Sequence, residues 1–147
     1  MNGYCCGFGH RDDYKDRTRE IRLTIGNLIA EKGITVFLTG GMGAFDAAFS
    51  SAVRFFRQSN GEVRLILVRP YFSDTLNTDK ALLETLYDDI IIPGGIAGCH
   101  YKSAITQRNH WMIEQSEIVV SGVFRNYGGA WEAIRYAEKL GKTVIRL

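Results

Sequence analysis

The chain has few of the residues that staple a fold or anchor it in a membrane. Its three cysteines, Cys5, Cys6 and Cys99, are an odd number with no C-x-x-C pair, which argues against a disulfide framework and against a zinc site. Reduced thiols, and hence a cytoplasmic location, are the simplest expectation. With only two prolines there is no Pro-rich linker, and no low-complexity segment or internal repeat is visible. No apolar run approaches the ~20 residues that cross a bilayer. The N-terminus has no charged segment followed by an apolar one, so no signal peptide and no membrane partner are expected. Charge is also nearly absent as a signal. Eighteen basic residues face sixteen acidic ones, for a net charge of +2, too small a bias to argue for nucleic acid. The densest basic run, Lys15, Arg17, Arg19 and Arg22, alternates with Asp12, Asp13, Asp16 and Glu20, as a solvated helix face does.

What is present is an ordinary globular composition, 46% hydrophobic and 23% charged over 147 residues. That is enough chain for one domain, residues 1–147, with a full two- or three-layer core. Short apolar, β-branched runs read as strands at Tyr4 to Phe8, Ile34 to Thr39, Val63 to Val68, Asp89 to Ile92, Glu117 to Val123 and Thr143 to Leu147. Between them lie helical stretches. Asp13 to Lys32 is stopped by Gly33, and Ala44 to Gln58 carries Phe45, Ala48, Phe49, Ala52, Val53 and Phe56 at i, i+3, i+4 spacing. Further helices are expected over Thr75 to Tyr87, with Asn77 or Thr78 as cap, over Ser103 to Gln115, and over Gly129 to Leu140. Pro93-Gly94-Gly95 through His100 reads as a loop. Strands alternating with helices in this way predict an α/β fold with a mainly parallel sheet. Ligands are then expected beyond the carboxyl ends of the strands.

Three glycine-rich turns follow predicted strands: Gly7/Gly9, Gly40/Gly41/Gly43 and Gly128/Gly129. Such turns deliver backbone N–H groups at helix N-termini to an anion, so together they predict a phosphate or ribose site. Neither G-x-G-x-x-G with a following acidic residue nor G-x-x-x-x-G-K-[ST] is matched, which disfavours a dinucleotide dehydrogenase and a P-loop NTPase. Around the turns, Asp46 is placed either to accept from ribose hydroxyls or to favour the positive end of its helix. Arg108 is placed for a bidentate phosphate clamp, with an ion pair to Glu114 or Glu117 as the structural alternative. His10 and Arg11 could contact phosphate, or pair with Asp12 and Asp13. Tyr127 and Trp131 flank the last glycine turn, for base stacking or for core or dimer packing. His100 and His110 have no metal-ligand spacing with any partner, so no metal is expected, and no cofactor is implied.

Gly9-His10-Arg11, Gly40-Gly41-Met42-Gly43-Ala44-Phe45-Asp46, Arg108-Asn109-x-x-Met112 and Gly128-Gly129-x-x-Glu132 together resemble the SLOG superfamily over essentially the whole chain. The Gly-His-Arg and Gly-Gly…Asp turns look most like its YpsA-like branch. The resemblance implies a three-layer Rossmann-like fold, a mainly parallel sheet with helices on both faces, and a nucleotide or nucleotide-derived ligand, with a sensor as one expected role. It places Gly9, His10, Arg11, Gly40, Gly41, Gly43, Asp46, Asn109, Gly128 and Gly129 around that ligand. It also implies a homo-oligomer, a dimer favoured, with Phe45, Phe49, Phe56 and Trp111 as interface or core. The related LONELY GUY phosphoribohydrolases use an Arg and a Glu at positions that Arg108 and Glu132 match. An N-glycosidic hydrolase with Arg108 and Glu132 as catalytic residues is therefore the alternative expectation. Asn109 replaces the Lys of that enzyme motif and the Pro before the glycines is missing, so binding comes first and hydrolysis second. A nucleic-acid module of the DNA-processing type is the third expectation.

Overall fold

A computed structural model describes residues 3–71, 80–96 and 98–147. The strands are β1 Tyr4–Phe8, β2 Val36–Thr39, β3 Arg64–Val68, β4 Asp89–Ile91, β5 Ile118–Ser121 and β6 Thr143–Arg146. The helices are α1 Thr18–Lys32, α2 Ala44–Arg57, α3 Lys80–Leu86, α4 Tyr101–Gln115 and α5 Gly129–Lys139. All strand pairings are parallel, in the order β4-β3-β2-β1-β5-β6.

The central strands are apolar over most of their length because both faces of the sheet are covered. Adjacent residues enter opposite cores. Cys5, Phe37, Leu65 and Val120 pack with α1 and α2 through Ile21, Ile25, Phe45 and Phe49. Cys6, Leu38, Ile66 and Val119 pack with α4 and α5 through Met112, Ile113, Ala133 and Ile134. The result is the expected three-layer Rossmann-like α/β architecture. Phe45 and Phe49 are fully inside the first core, so they are packing residues and not an interface. Phe56 is partly buried against the same core, and Trp111 against the second.

The strand order reverses between β1 and β5. From β1 the chain builds outward through β2, β3 and β4, then crosses back by α4 to place β5 on the other side of β1. The carboxyl ends of β1 and β5 therefore diverge, and their loops leave a crevice between them.

Several element ends differ from expectation for local reasons. Helix α1 starts at Thr18 and not at Asp13. The Asp13 carboxylate accepts from the Lys15 amide and from Arg17 Nε, and Asp16 accepts from the Thr18 amide. These side-chain bonds hold residues 13–17 in a loop. Helix α4 starts at Tyr101 because the His100 ring accepts from the Lys102 amide as an N-cap. β5 stops at Ser121, whose hydroxyl takes the Val123 amide and turns the chain away from the ladder. The Gly33 stop is as expected, with φ 66° and its N–H bonded to the Leu28 carbonyl. The caps Asn77 and Thr78 lie outside the described residues; the helix described there is Lys80–Leu86.

Candidate functional site

A cleft of about 310 Å³ lies at the strand-order reversal, at the low end of the ~300–1,000 Å³ of small-molecule sites. Its wall comes from four segments. These are Phe8 to Asp12 after β1, Met42 and Asp46 at the start of α2, Ile105, Arg108 and Asn109 on α4, and Arg125 with Tyr127 to Ala130 after β5. Sequence-distant segments thus meet where the fold predicts a ligand.

Arg108 is the buried cation of this wall, at 3% exposure. Its Nε–H donates to Asn109 Oδ1 at 2.9 Å, and Nη1 donates to the carbonyls of Val68 at 2.9 Å and Gly40 at 3.4 Å. Nη2 lies 3.6 Å from Met42 Sδ. The anticipated ion pair with Glu114 or Glu117 does not form; Glu114 instead accepts from Tyr136 and Glu117 from the Gly3 amide. Burial lowers the Arg108 pKa to about 10, against the attraction of Asp46, so it stays charged at neutral pH. Of five guanidinium N–H groups, these contacts use four. Gly40 makes the approach possible, because a Cβ there would stand 2.9 Å from the guanidinium carbon.

Asp46 sits in the first turn of α2, with Oδ2 accepting from the Met42 amide at 2.9 Å. This closes the glycine turn in the manner of a capping box. Burial raises its pKa to about 6, opposed by the Met42 amide and by the charges of Arg108 and Arg11. Arg11 is exposed on the rim, with Met42 Sδ at 3.8 Å as its side-chain contact and no carboxylate within ion-pair distance among the described residues.

The glycines divide into two groups. A Cβ on Gly9 would be driven into the Phe45 ring, and one on Gly43, whose φ is 98°, would meet Arg11 Cα at 2.5 Å. Those positions are small so that the first loop can lie against α2. Gly41, also at positive φ, faces Leu67 and Tyr87 and is not part of the cleft wall. Gly128 and Gly129 are different: a Cβ on either meets nothing within 4 Å. Gly128 is the N-cap of α5, with φ 96° and no side-chain cap. The first turn of that helix carries N–H groups without intrahelical partners, and Gly128, Gly129 and Ala130 line the cleft.

His10 is buried at 7% exposure, and its Nε2 accepts from the amides of Phe124 at 3.1 Å and Arg125 at 3.2 Å. Its ring packs edge-on against Phe124. Arg125 in turn forms a two-pronged pair with Asp12, at 2.6 and 3.3 Å. Glu132 is exposed on α5 and is not part of the cleft wall. Trp131 lies outside the cleft too, beneath Arg135, whereas Tyr127 is 65% exposed at its mouth. Sequence reading missed Met42, whose sulfur touches both arginines, and the Asp12–Arg125 pair. The only advance signal for the pair was a basic residue preceding the last glycine turn.

No helix among the described residues is long and apolar enough to cross a membrane. No group of three or more His, Cys, Asp or Glu among them is placed to hold a metal.

No family model and no curated protein matches the sequence. Solved structures do match by shape. DNA processing protein A from Streptococcus pneumoniae superposes with a TM-score of 0.70 at 18% identity, over 97% of this chain and 49% of that one. DNA processing protein A from Helicobacter pylori, described for its single-stranded DNA binding mode, gives 0.67 at 17% identity, over 97% and 64%. The molybdenum cofactor binding protein of the phototrophic bacterium Rippkaea orientalis gives 0.61 at 20%, over 99% and 76%. The chain spans about half to two thirds of the DNA processing proteins, and identities this low carry the fold alone. The chain has the three-layer Rossmann-like α/β fold that these structures share.

Proposed function

We propose that the cleft binds a nucleotide or a nucleotide-derived ligand. The phosphate lies against the uncapped N-terminus of α5 and Arg11, and the ribose hydroxyls face Asp46. The observation that supports this most is a convergence at one crevice. An open helix start, a rim arginine with no carboxylate in ion-pair range among the described residues, and a buried arginine with an N–H to spare surround the Asp46 carboxylate, while Asp12, the other carboxylate of the wall, is paired with Arg125. Net positive potential suits the phosphate, and the carboxylate suits a hydroxyl donor.

The test is mass spectrometry of small molecules released from the purified protein, followed by calorimetric titration with a panel of nucleoside monophosphates. Submicromolar to micromolar binding that weakens at least tenfold in Arg11→Ala supports the proposal. No bound nucleotide and no heat with any panel member overturns it. The panel is also assayed for free base and ribose 5-phosphate, with Glu132→Gln alongside wild type; product from wild type only would establish the phosphoribohydrolase alternative.

A second reading, single-stranded nucleic acid, is supported by exposed aromatics on the same edge of the sheet. Tyr14 and Tyr101 are 86% and 54% exposed, and Phe124 is 59% exposed, as stacking platforms are. Oligonucleotide affinity falling steeply with salt, with no competition by monophosphates, would favour it over the first.

A further inference from the structure

Two loops frame the cleft, residues 9–17 after β1 and residues 122–128 after β5, and four hydrogen bonds tie them together. Two are the Phe124 and Arg125 amides donating to His10 Nε2. The other two are the Arg125 guanidinium donating to Asp12. Beyond Arg125, the stretch Asn126-Tyr127-Gly128 leads directly into the open start of α5. The placement of that helix start relative to Arg11 therefore depends on the tie.

The His10 half of the tie has a strict chemical requirement. One ring nitrogen accepts from two N–H groups, so it carries no proton; the ring is neutral, with its proton on Nδ1. A proton on Nε2 would convert the acceptor into a donor aimed at two donors. We infer that His10 is a positioning residue, a latch that holds the β5–α5 loop and the anion-receiving start of α5 in place only while its ring is neutral. Its role is then distinct from direct contact with phosphate. The consequence for affinity rests on the ligand reading above; the latch itself does not.

The charged groups facing the ring are Arg125 from the partner loop, Asp12 and Asp13 from its own loop, and Arg17 at the entry to α1. Burial and then Arg125 push the His10 pKa below its ordinary value, and the two aspartates oppose them. The sign follows: a depressed histidine keeps the latch closed above about pH 6.5, the ordinary value, and releases it as pH falls through the lower folded value.

His10→Gln separates the latch from other titrations, because a Gln oxygen can take both amides and does not titrate. Asp46 also changes charge in the acid range, but equally in both proteins. The experiment follows the Phe124 and Arg125 amide signals and the His10 ring nitrogens by NMR from pH 7.5 to 4.5, without ligand. Expected are an unprotonated Nε2 at pH 7.5, a ring midpoint below that of a free histidine, and both amides moving with the ring in wild type. In His10→Gln the amides stay fixed. Amides that ignore the ring titration, or a ring carrying its proton on Nε2 at pH 7.5, overturn the latch.

AMP titrations form a second arm. The wild-type dissociation constant, divided by that of His10→Gln, should rise about tenfold between pH 7.5 and 5, the scale of one or two lost hydrogen bonds. A ratio that does not change with pH overturns the link to the site. No AMP binding at any pH, with amides that still follow the ring, removes the nucleotide reading and leaves the latch standing.

Discussion

At the scale of single residues, the two arginines of the cleft do different work despite sharing a charge. Arg108 spends its donors on the ends of β2 and β3 and on Asn109, so it is part of the fold. Arg108→Met should strand the Val68 carbonyl and Asn109 and cost about 2–3 kcal/mol in chemical denaturation, through loss of charge-assisted bonds in a buried setting. Arg11→Ala should leave the melting temperature within about 1–2 °C, since its substitution touches only an exposed contact. Asp46 gives a pH-dependent prediction. Its folded pKa lies above the ordinary carboxylate value, at about 6, so its charged form is disfavoured in the fold. Its contribution to stability is fully present below the unfolded pKa and is lost as pH rises through about 6. Asp46→Asn keeps an acceptor for the Met42 amide and should therefore stabilise the protein at pH 7.5. The gain should be on the order of 1 kcal/mol after discounting for partial exposure. At pH 4 it should change little. Equal effects at both pH values in urea unfolding would contradict the assignment.

At the scale of elements, the small residues at the ends of β1 and β5 leave room for the Phe45 ring of the first core. A Cβ on Gly9 or on Gly122 would overlap the same ring, the latter at 2.5 Å. Gly122→Ala should cost about 1–3 kcal/mol as an overpacked core substitution. A double variant with Phe45→Leu should recover part of the loss, because the smaller side chain leaves room for the methyl. A purely additive double mutant would show that the ring is not the obstacle. The sequence pattern had placed all three glycine turns in one role, as phosphate cradles. Gly128 and Gly129 are open to the cleft, whereas Gly9, Gly40 and Gly43 are small because Phe45, Arg108 and Arg11 come close to them. Local sequence cannot separate the two uses, since a turn that binds and a turn that packs both need the missing Cβ.

At the scale of the whole molecule, the reversal in strand order creates the cleft, and the same order sets the pattern of stability. β1, β2 and β5 are inside the sheet and buried on both faces, while β4 and β6 are edges with no fully buried residue. Amide exchange should therefore be slowest in β1, β2 and β5 and faster in β4 and β6 by tenfold or more. Comparable protection in an edge strand would indicate a partner covering it. The elements, their alternation and the parallel α/β class were legible along the chain. These follow from local composition: β-branched runs between amphipathic helices, with glycine where the backbone turns. The sequence also picked out Arg108, Asp46 and the last glycine pair, which the fold brings together in one cleft. What each residue touches depends instead on how the elements assemble. Arg108 meets carbonyls at positions 40 and 68, His10 meets amides at 124 and 125, and Glu132 faces solvent one helical turn from the cleft. Those contacts join residues as far as 115 positions apart, and they are set by the sheet order and crossover path, which periodicity along the chain does not encode.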